Sequence, residues 1–459
     1  MKDQNNHFAI NVNWLRIIIF SIFVLYGCKD NKIKESNFER HSFHIFTSDR
    51  VEKKIYESKG QKFKLGYFVK SYYGNTKYKV DKIEIRGQSA LNFRRKSYYV
   101  NVNGKLPFYT LDSMDTLYLN KFILSAMTMD FTYIENKISH YLLKEVDLWF
   151  LNSFYVELYI NNKHQGVYLL MEDPKEFAFK KMDASFLLRR LYDHNIEKYT
   201  EKSNGNLLNT DLYIAKFKRL TSRILSKIII NSKMNFHISD PYVDKFNRIY
   251  SELNILKGKE LYDSLSNSLD LDSYFKKIAM DEILENGDYT DEIFFYSTSK
   301  KNENIKFDIM VWDYDDIFSS SPHEVGRRDS LCGKCFGLRV YPTYQDFQLE
   351  TKGKLLFSIE DDLDYIIMKD DFLYSKYLEK LEEILTKFDD KLINGIFDQV
   401  QNELMPFYNV TEVIEQSTYD DQKTNLSIFS NNLIEKKIRL INRLNWLREE
   451  IKNQKLSVN

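Results

Sequence analysis

Six prolines and fifteen glycines in 459 residues leave few places for a linker, and no segment recurs at the periods of solenoids or propellers. A string of tethered modules and a repeat array are excluded on that ground. Net charge is absent as well: 66 basic residues cancel 66 acidic ones with no long block of one sign. A nucleic-acid protein held by phosphate neutralisation is therefore not expected, and any anionic ligand has to be held locally. What the chain has in quantity is apolar and aromatic side chains, 43% and 15% of the residues. That is enough for one large domain or two to three ordinary ones, and it rules out a disordered or fibrous chain.

Cysteine is scarce, with three in all. Cys332 and Cys335 stand as CGKC. Zinc wants four ligands and only His323 lies nearby, while a redox Cys-x-x-Cys normally opens a helix and CGKCFGLRVYP reads as loop. A short-range disulfide in an oxidising compartment is expected. The third, Cys28, follows Lys2, Arg16 and the apolar run Ile17 to Tyr26, which is too short to span a bilayer comfortably. Residues 1–27 read as a signal peptide, and Leu25-Tyr26-Gly27-Cys28 resembles a bacterial lipoprotein box, although Tyr26 is bulkier than the usual small residue. The alternative is an uncleaved hydrophobic anchor. Either places the body of the protein outside the cytoplasm, in the periplasm or at the cell surface, with the membrane reached through lipid on Cys28 in the first case.

Residues 28–42 are polar and read as a flexible tether. Residues 43–175 are sheet-rich: KKIYESKGQKFKLGYFVKSYYG, YKVDKIEIRG and KSYYVNVNG predict strands, and SFYVELYI and QGVYLLMED flank a hairpin turn at Asn161 to His164. Phe131, Ile134, Ile138 and Leu142 at helical spacing predict a helix with Asp130 as its N-cap. Residues 176–452 turn mostly helical, with helices near 208–230, 241–264 and 272–286 and amphipathic helices over the last hundred residues. One strand pair, Ile293 to Ser297 and Ile305 to Val311, interrupts them. The fold class is α+β, a sheet-rich N-terminal lobe followed by a mostly helical C-terminal lobe.

That strand pair carries the chemistry. DIMVWDYDDIF, residues 308–318, sets four aspartates in a run that otherwise reads as a buried strand, and buried carboxylates need a cation or a positive partner. In an antiparallel hairpin centred near residue 302, position 291 comes opposite roughly 313, because residue numbers across the ladder sum to a constant. Asp288, Asp291 and Glu292 are thereby brought alongside Asp313, Asp315 and Asp316. Asp313 and Asp315, two apart, are expected to share a face. Acids at this density attract Mg²⁺ or Ca²⁺; the alternative is a solvated hairpin end. The helix before them is expected to end at Gly287 as its C′ residue, holding Asp288 at its exit.

The order of elements is that of a protein kinase: a strand lysine (Lys96), a helix, two strands, an acid after the second (Glu172), helices, a loop aspartate (Asp288) and a strand-end aspartate (Asp313). Neither G-x-G-x-x-G nor H-R-D is present. Arg86-Gly-Gln-Ser-Ala with Arg95-Lys-Ser-Tyr98, Glu135-Asn-Lys-Ile-Ser-His-Tyr-Leu142, Gly166-Val-Tyr-Leu-Leu-Met-Glu172, Asn286-Gly-Asp288 and Val311-Trp-Asp-Tyr-Asp315 together resemble the CotH family of spore-coat-protein-H-like secreted kinases. The resemblance implies an atypical protein-kinase-like, two-lobed fold that uses ATP and Mg²⁺ (or Mn²⁺) to phosphorylate protein hydroxyls. It implies Lys96 and Arg86 at the nucleotide phosphates, Glu172 at the adenine-side hinge, Asp288 as catalytic aspartate, Asp313 as principal metal ligand and Asp315 as a second. Glu292 is a further candidate metal ligand, near where kinases carry a metal-binding asparagine. The chain departs from the family at Gln88 and Ala90, where Arg-Gly-Asn-Ser-Ser is usual, and at Glu135, often basic there. A catalytically degenerate relative, serving as a surface binding or adhesion protein with a structural divalent cation, is the competing expectation. A monomer with a protein substrate and no nucleic acid is expected.

Overall fold

The computed structural model describes residues 41–57, 64–65, 69–73, 76–86, 93–109, 116–190, 217–219, 241–288, 292–300, 303–322, 343–359, 361–416 and 424–458. The expected signal peptide with Cys28, the CGKC pair with His323, Gln88, Ala90 and Asp291 lie outside them.

The first region is built of strands β1 (His41–Phe46), β2 (Lys64–Leu65), β3 (Val69–Tyr73), β4 (Thr76–Arg86), β5 (Ser97–Tyr109), β6 (Thr116–Ser125), β7 (Ser153–Ile160) and β8 (Lys163–Glu172). Neighbours run β4-β3-β1-β7-β8-β6-β5, and β5 pairs back onto β4, so the sheet curls round and closes, with β2 also on β4. Alternation explains the closure. Phe43 and Ile45 of β1, Tyr98, Val100 and Val102 of β5, Phe122 and Leu124 of β6, Val156, Leu158 and Ile160 of β7 and Tyr168 and Leu170 of β8 all enter one apolar interior. In β4 the inward parity changes from Val80 to Ile83 and Ile85, because a bulge between Val80 and Lys82 inserts one extra residue. The turn between β7 and β8 is the expected one: Asn161 and Asn162 both have positive φ, 48° and 62°, which asparagine tolerates.

The opposite face of β6 to β8 packs Ile123, Tyr155, Val167, Leu169 and Met171 against the rest of the molecule. Two expectations change here. Residues 49–57 form a helix, α1 (Asp49–Glu57), not a strand; it sets Ile55 into the barrel core and ties Glu52 to Asn161 and Lys163 at the β7–β8 turn. The next helix, α2 (Glu135–Glu145), begins five residues after Asp130. Asp130 still caps it from a distance, its carboxylate accepting from the amides of Ile134 and Asn136, each at 3.1 Å.

After α3 (Pro174–Lys180) and β9 (Phe186–Arg190) the chain is mostly helical: α4 (Pro241–Glu252), α5 (Gly258–Ser268), α6 (Leu271–Leu284), α7 (Tyr344–Thr351), α8 (Asp362–Lys369), α9 (Asp371–Lys387), α10 (Asp390–Tyr408), α11 (Thr411–Gln416) and α12 (Leu426–Val458). The expected single helix over 241–264 is two, α4 and α5. Of the expected helix near 208–230, only β10 (Phe217–Arg219) is described, and it is a strand. Together with β11 (Ile293–Ser297) and β12 (Asp308–Val311) it makes a second sheet of order β10-β9-β11-β12. Helix α6 is buried on nearly every side, as a central helix must be. Helix α12, about 50 Å long at 1.5 Å per residue, clasps its neighbours through ion pairs Lys436–Glu135 at 2.7 Å, Arg439–Glu285 at 2.5 Å and Arg443–Glu282 at 2.6 Å. The architecture is α+β, a curled sheet-rich region followed by a mostly helical one. Among the described residues no helix is long and apolar enough to cross a membrane.

Candidate active site

The hairpin register is the expected one. Ile293 faces Val311 and Phe294 faces Met310, so the start of β11 and the end of β12 meet. The second strand is shorter than its sequence pattern, ending at Val311. Asp313 therefore does not share a strand face with Asp315. It sits in a turn with φ 59°, and the Asp315 amide donates to the Asp313 carbonyl at 2.8 Å. The aspartates converge through this turn rather than through strand alternation.

Tyr314 anchors the turn. Its ring is fully buried, its hydroxyl donates to Asp281 of α6 at 2.6 Å, and its carbonyl lies 2.7 Å from Ser139 Oγ on α2. Asp281 is in turn 2.6 Å from the buried Lys277 ammonium. Across the turn, Trp312 N donates to the Glu292 carbonyl at 2.9 Å, and Glu292 Oε2 accepts from Asn286 Nδ2 at 2.5 Å. Glu292 Oε1 is buried with no hydrogen-bond partner among the described residues. Sequence periodicity singles out none of Tyr314, Asp281 and Lys277. A buried lysine and aspartate at i and i+4 are a usable signal only once α6 is known to be central.

Gly287 has a role other than the expected one. The left-handed residue that ends α6 is Glu285, with φ 51°. Gly287 matters for close approach: its amide donates to the Asp316 carbonyl at 2.8 Å, and a Cβ there would stand 2.2 Å from Asp316 Oδ2 and 2.5 Å from Ser319 Oγ. Gly287→Ala should therefore destabilise the chain by about 1–3 kcal/mol through overpacking, measured as a lower urea midpoint with an unchanged m-value.

Burial is the first cause that pushes the Glu292 carboxyl well above the usual range, followed by the negative charges of Asp288 and Asp315. Asp315 is pushed up in the same way, by loss of water and then by Asp313, Asp288 and Asp316, against the pull of Arg86. Arg86, at the end of β4, crosses from the barrel: its Nη2 is 3.2 Å from Asp313 Oδ2, and its guanidinium lies over the Trp312 ring at 4.7 Å. The site thus joins Asp288, Glu292, Asp313, Asp315 and Arg86.

The other expected residues have hydrogen-bond and ion-pair partners outside this group. Glu172 is buried, with Oε2 accepting from Asn152 N and Nδ2, both at 2.8 Å, and Oε1 2.6 Å from Lys181 Nζ. Lys96 is buried just ahead of β5 and donates to the Phe93 carbonyl. Its neighbour Arg95 donates to the Gln165 and Val167 carbonyls and lies over the Tyr168 ring, which makes it a strut of the barrel. Strand β6, unmarked in the sequence reading, intervenes between β5 and α2, so the last strand lysine before α2 is Lys121. Glu135 pairs with Lys436 at 2.7 Å.

Glu135 carries a pH signature. Burial first, then the charge of Asp130, pushes it up to about 7 against the pull of Lys436. A carboxyl with a raised folded-state pKa stabilises below its unfolded value of 4.5, and that contribution is lost as pH rises through the folded value. Glu135→Gln should therefore gain in melting temperature relative to the parent protein as pH goes from about 5 to 8. An unchanged difference across that range would contradict the assignment.

The donor set fits a divalent cation. It consists of hard carboxylate oxygens, an orphaned Glu292 Oε1 and negative charge that raises both Glu292 and Asp315. Among the described residues no three acidic, histidine or cysteine side chains are gathered closely enough to hold a metal ion as they stand.

The chain resembles known proteins in sequence. Inner spore coat protein H of Bacillus subtilis (strain 168) is 22% identical over 244 residues, 52% of this chain, and the match spans 59% of that protein's length. The family model described as CotH kinase protein matches residues 83–455, from the end of β4 to the end of α12. The chain belongs to the CotH kinase protein family.

Proposed function

We propose that the protein is a membrane-tethered, extracytoplasmic kinase that transfers the γ-phosphate of ATP to hydroxyl groups of proteins. The observation that carries this reading is the convergence of Asp288, Glu292, Asp313 and Asp315 at one end of a hairpin, with an arginine from the barrel reaching them. Asp313, Asp315 and Glu292 hold Mg²⁺ or Mn²⁺ in this reading. When bound, such a cation neutralises charge on the phosphoryl oxygens during transfer. Asp288 orients the acceptor hydroxyl and takes its proton. Arg86 can turn two N–H groups toward phosphate oxygens, and Lys96 adds positive charge to the same end of β5. Because the Glu172 carboxylate is held by Asn152 and Lys181, the nucleotide would meet the backbone at that hinge.

Engagement of Lys96 by the Phe93 carbonyl and of Glu135 by Lys436 favours a second reading, in which the acids hold a structural cation and the protein only binds. Incubating the purified chain with labelled ATP, Mg²⁺ or Mn²⁺ and acidic or basic acceptor proteins separates the two. Incorporation that requires Asp288 supports the kinase; cation binding without incorporation supports the other. For the tether, Cys28→Ser should move the exported protein from the membrane to the soluble fraction, and retention on the membrane would contradict lipidation.

A further inference from the structure

A concave site lies on the outside of the barrel, where β4, β5 and β6 face α3. Its volume is about 630 Å³, within the ordinary range for a small-molecule site. Asp81 on its rim is five residues before Arg86 on β4, roughly 16 Å away at 3.3 Å per residue, so the groove is separate from the acidic turn. Bulges open the sheet here: β4 shifts register between Val80 and Lys82, and β5 between Asn101 and Leu106. The second bulge carries Gly104 with φ 110°. Such irregularities re-aim side chains and end regular pairing.

The lining chemistry is specific. Asn101, Asn103 and Asn120 line the groove, and none has a side-chain hydrogen-bond partner among the described residues. Each amide offers a carbonyl acceptor and two N–H donors. Charge is balanced over the lining as a whole: Lys121 and Lys180 both pair with Glu176, and Asp81 on the rim supplies the second negative charge. Phe179 supplies an apolar ring at the α3 edge. Mixed amide donors and acceptors, a lining without net charge whose oxygens and N–H groups can bond hydroxyls, and one aromatic face match a neutral polyhydroxylated ring. They match neither a phosphate nor a hydrophobic ligand.

We propose that this groove binds a neutral sugar of one or two rings, with the asparagines bonding its hydroxyls and Phe179 packing on its C–H face. The site is independent of the phosphotransfer reading and would serve to hold the protein on a glycan.

Calorimetric titration of the full chain with glucose, N-acetylglucosamine, maltose, cellobiose and chitobiose tests it, with inorganic phosphate and ATP–Mg²⁺ as comparison ligands. At least one sugar should bind, and its affinity should fall at least about tenfold, the loss of one good contact, in Asn101→Ala and in Phe179→Ala. Asn101→Ala should melt as the parent does, Phe179→Ala should melt somewhat lower because Phe179 also packs against the core, and both should keep their ATP–Mg²⁺ affinity. Asp313→Asn should bind the sugar normally. The proposal is overturned if none of the five sugars binds, if both groove variants bind as the parent does, if phosphate displaces the sugar, or if the groove variants lose ATP–Mg²⁺ instead.

Discussion

Asp313→Asn should abolish phosphate transfer while changing the stability of the ligand-free chain by about 1 kcal/mol or less. Asparagine accepts the positive φ that Asp313 adopts, so the turn keeps its shape. The lost ion pair with Arg86 is partly exposed on both sides, and such pairs contribute about 0–1 kcal/mol. Against that loss, removing one negative charge relieves Asp315, whose carboxyl is raised by Asp313 after burial. The effect on chemistry runs the other way, because in the kinase reading the substitution removes a half-buried carboxylate that would hold the cation. A loss of about 10³-fold or more in transfer corresponds to about 4 kcal/mol of transition-state stabilisation. Stopped-point phosphorylation assays and melting curves on the same preparation read both quantities. Retained transfer, or a collapsed fold, would contradict the role.

The largest expected effect on folding lies far from the acidic turn. Arg190, at the end of β9, is fully buried with Nη1 3.6 Å from Asp361 Oδ2 and 3.8 Å from Asp364 Oδ2. Tyr250 donates to Asp361 at 3.0 Å and Tyr274 to Asp364 at 2.6 Å. Two buried carboxylates thus share one guanidinium, and burial already pushes Asp364 up to about 6 despite Arg190. Arg190→Met fills a similar volume but removes the guanidinium that both acids share, which should cost about 3–5 kcal/mol. Asp364 carries a raised folded-state value, so the cost should be larger at pH 7 than at pH 5, where protonation relieves it. A urea midpoint that shifts by less than about 1 kcal/mol at pH 7, or equally at both pH values, would show that the pair is not coupled as described.

Legibility followed locality. The β11–β12 register could be read from the sequence because two short apolar runs bracket a polar loop, and an antiparallel ladder then fixes every pairing. The Asn-Asn turn between β7 and β8 was legible for the same reason. Strand β6 was not: TLYLNKFILS alternates weakly, and its place is set by pairing with β5 and β8, which no local pattern reports. Helix α1 was missed because its charged face resembles an alternating strand, and only Ile55 and the contacts of Glu52 reveal which face is covered. In the site, the acids were legible by their density, whereas the turn that gathers Asp313 and Asp315 depends on Tyr314 reaching Asp281, a contact between distant segments. The partners of Glu172, Lys96 and Glu135 were illegible for that reason also, since each is chosen by packing.

The most direct test is the stabilisation that ATP and Mg²⁺ together confer on the parent protein, on Asp313→Asn and on Asp288→Asn. A ligand at a hundred times its dissociation constant stabilises by about 2.7 kcal/mol, which is easily read as a shift in the melting curve. The parent and Asp288→Asn should both show the shift, Asp288→Asn should lack turnover, and Asp313→Asn should show neither. If both variants keep the full shift and transfer phosphate at the parental rate, the acidic turn is not the site of nucleotide chemistry.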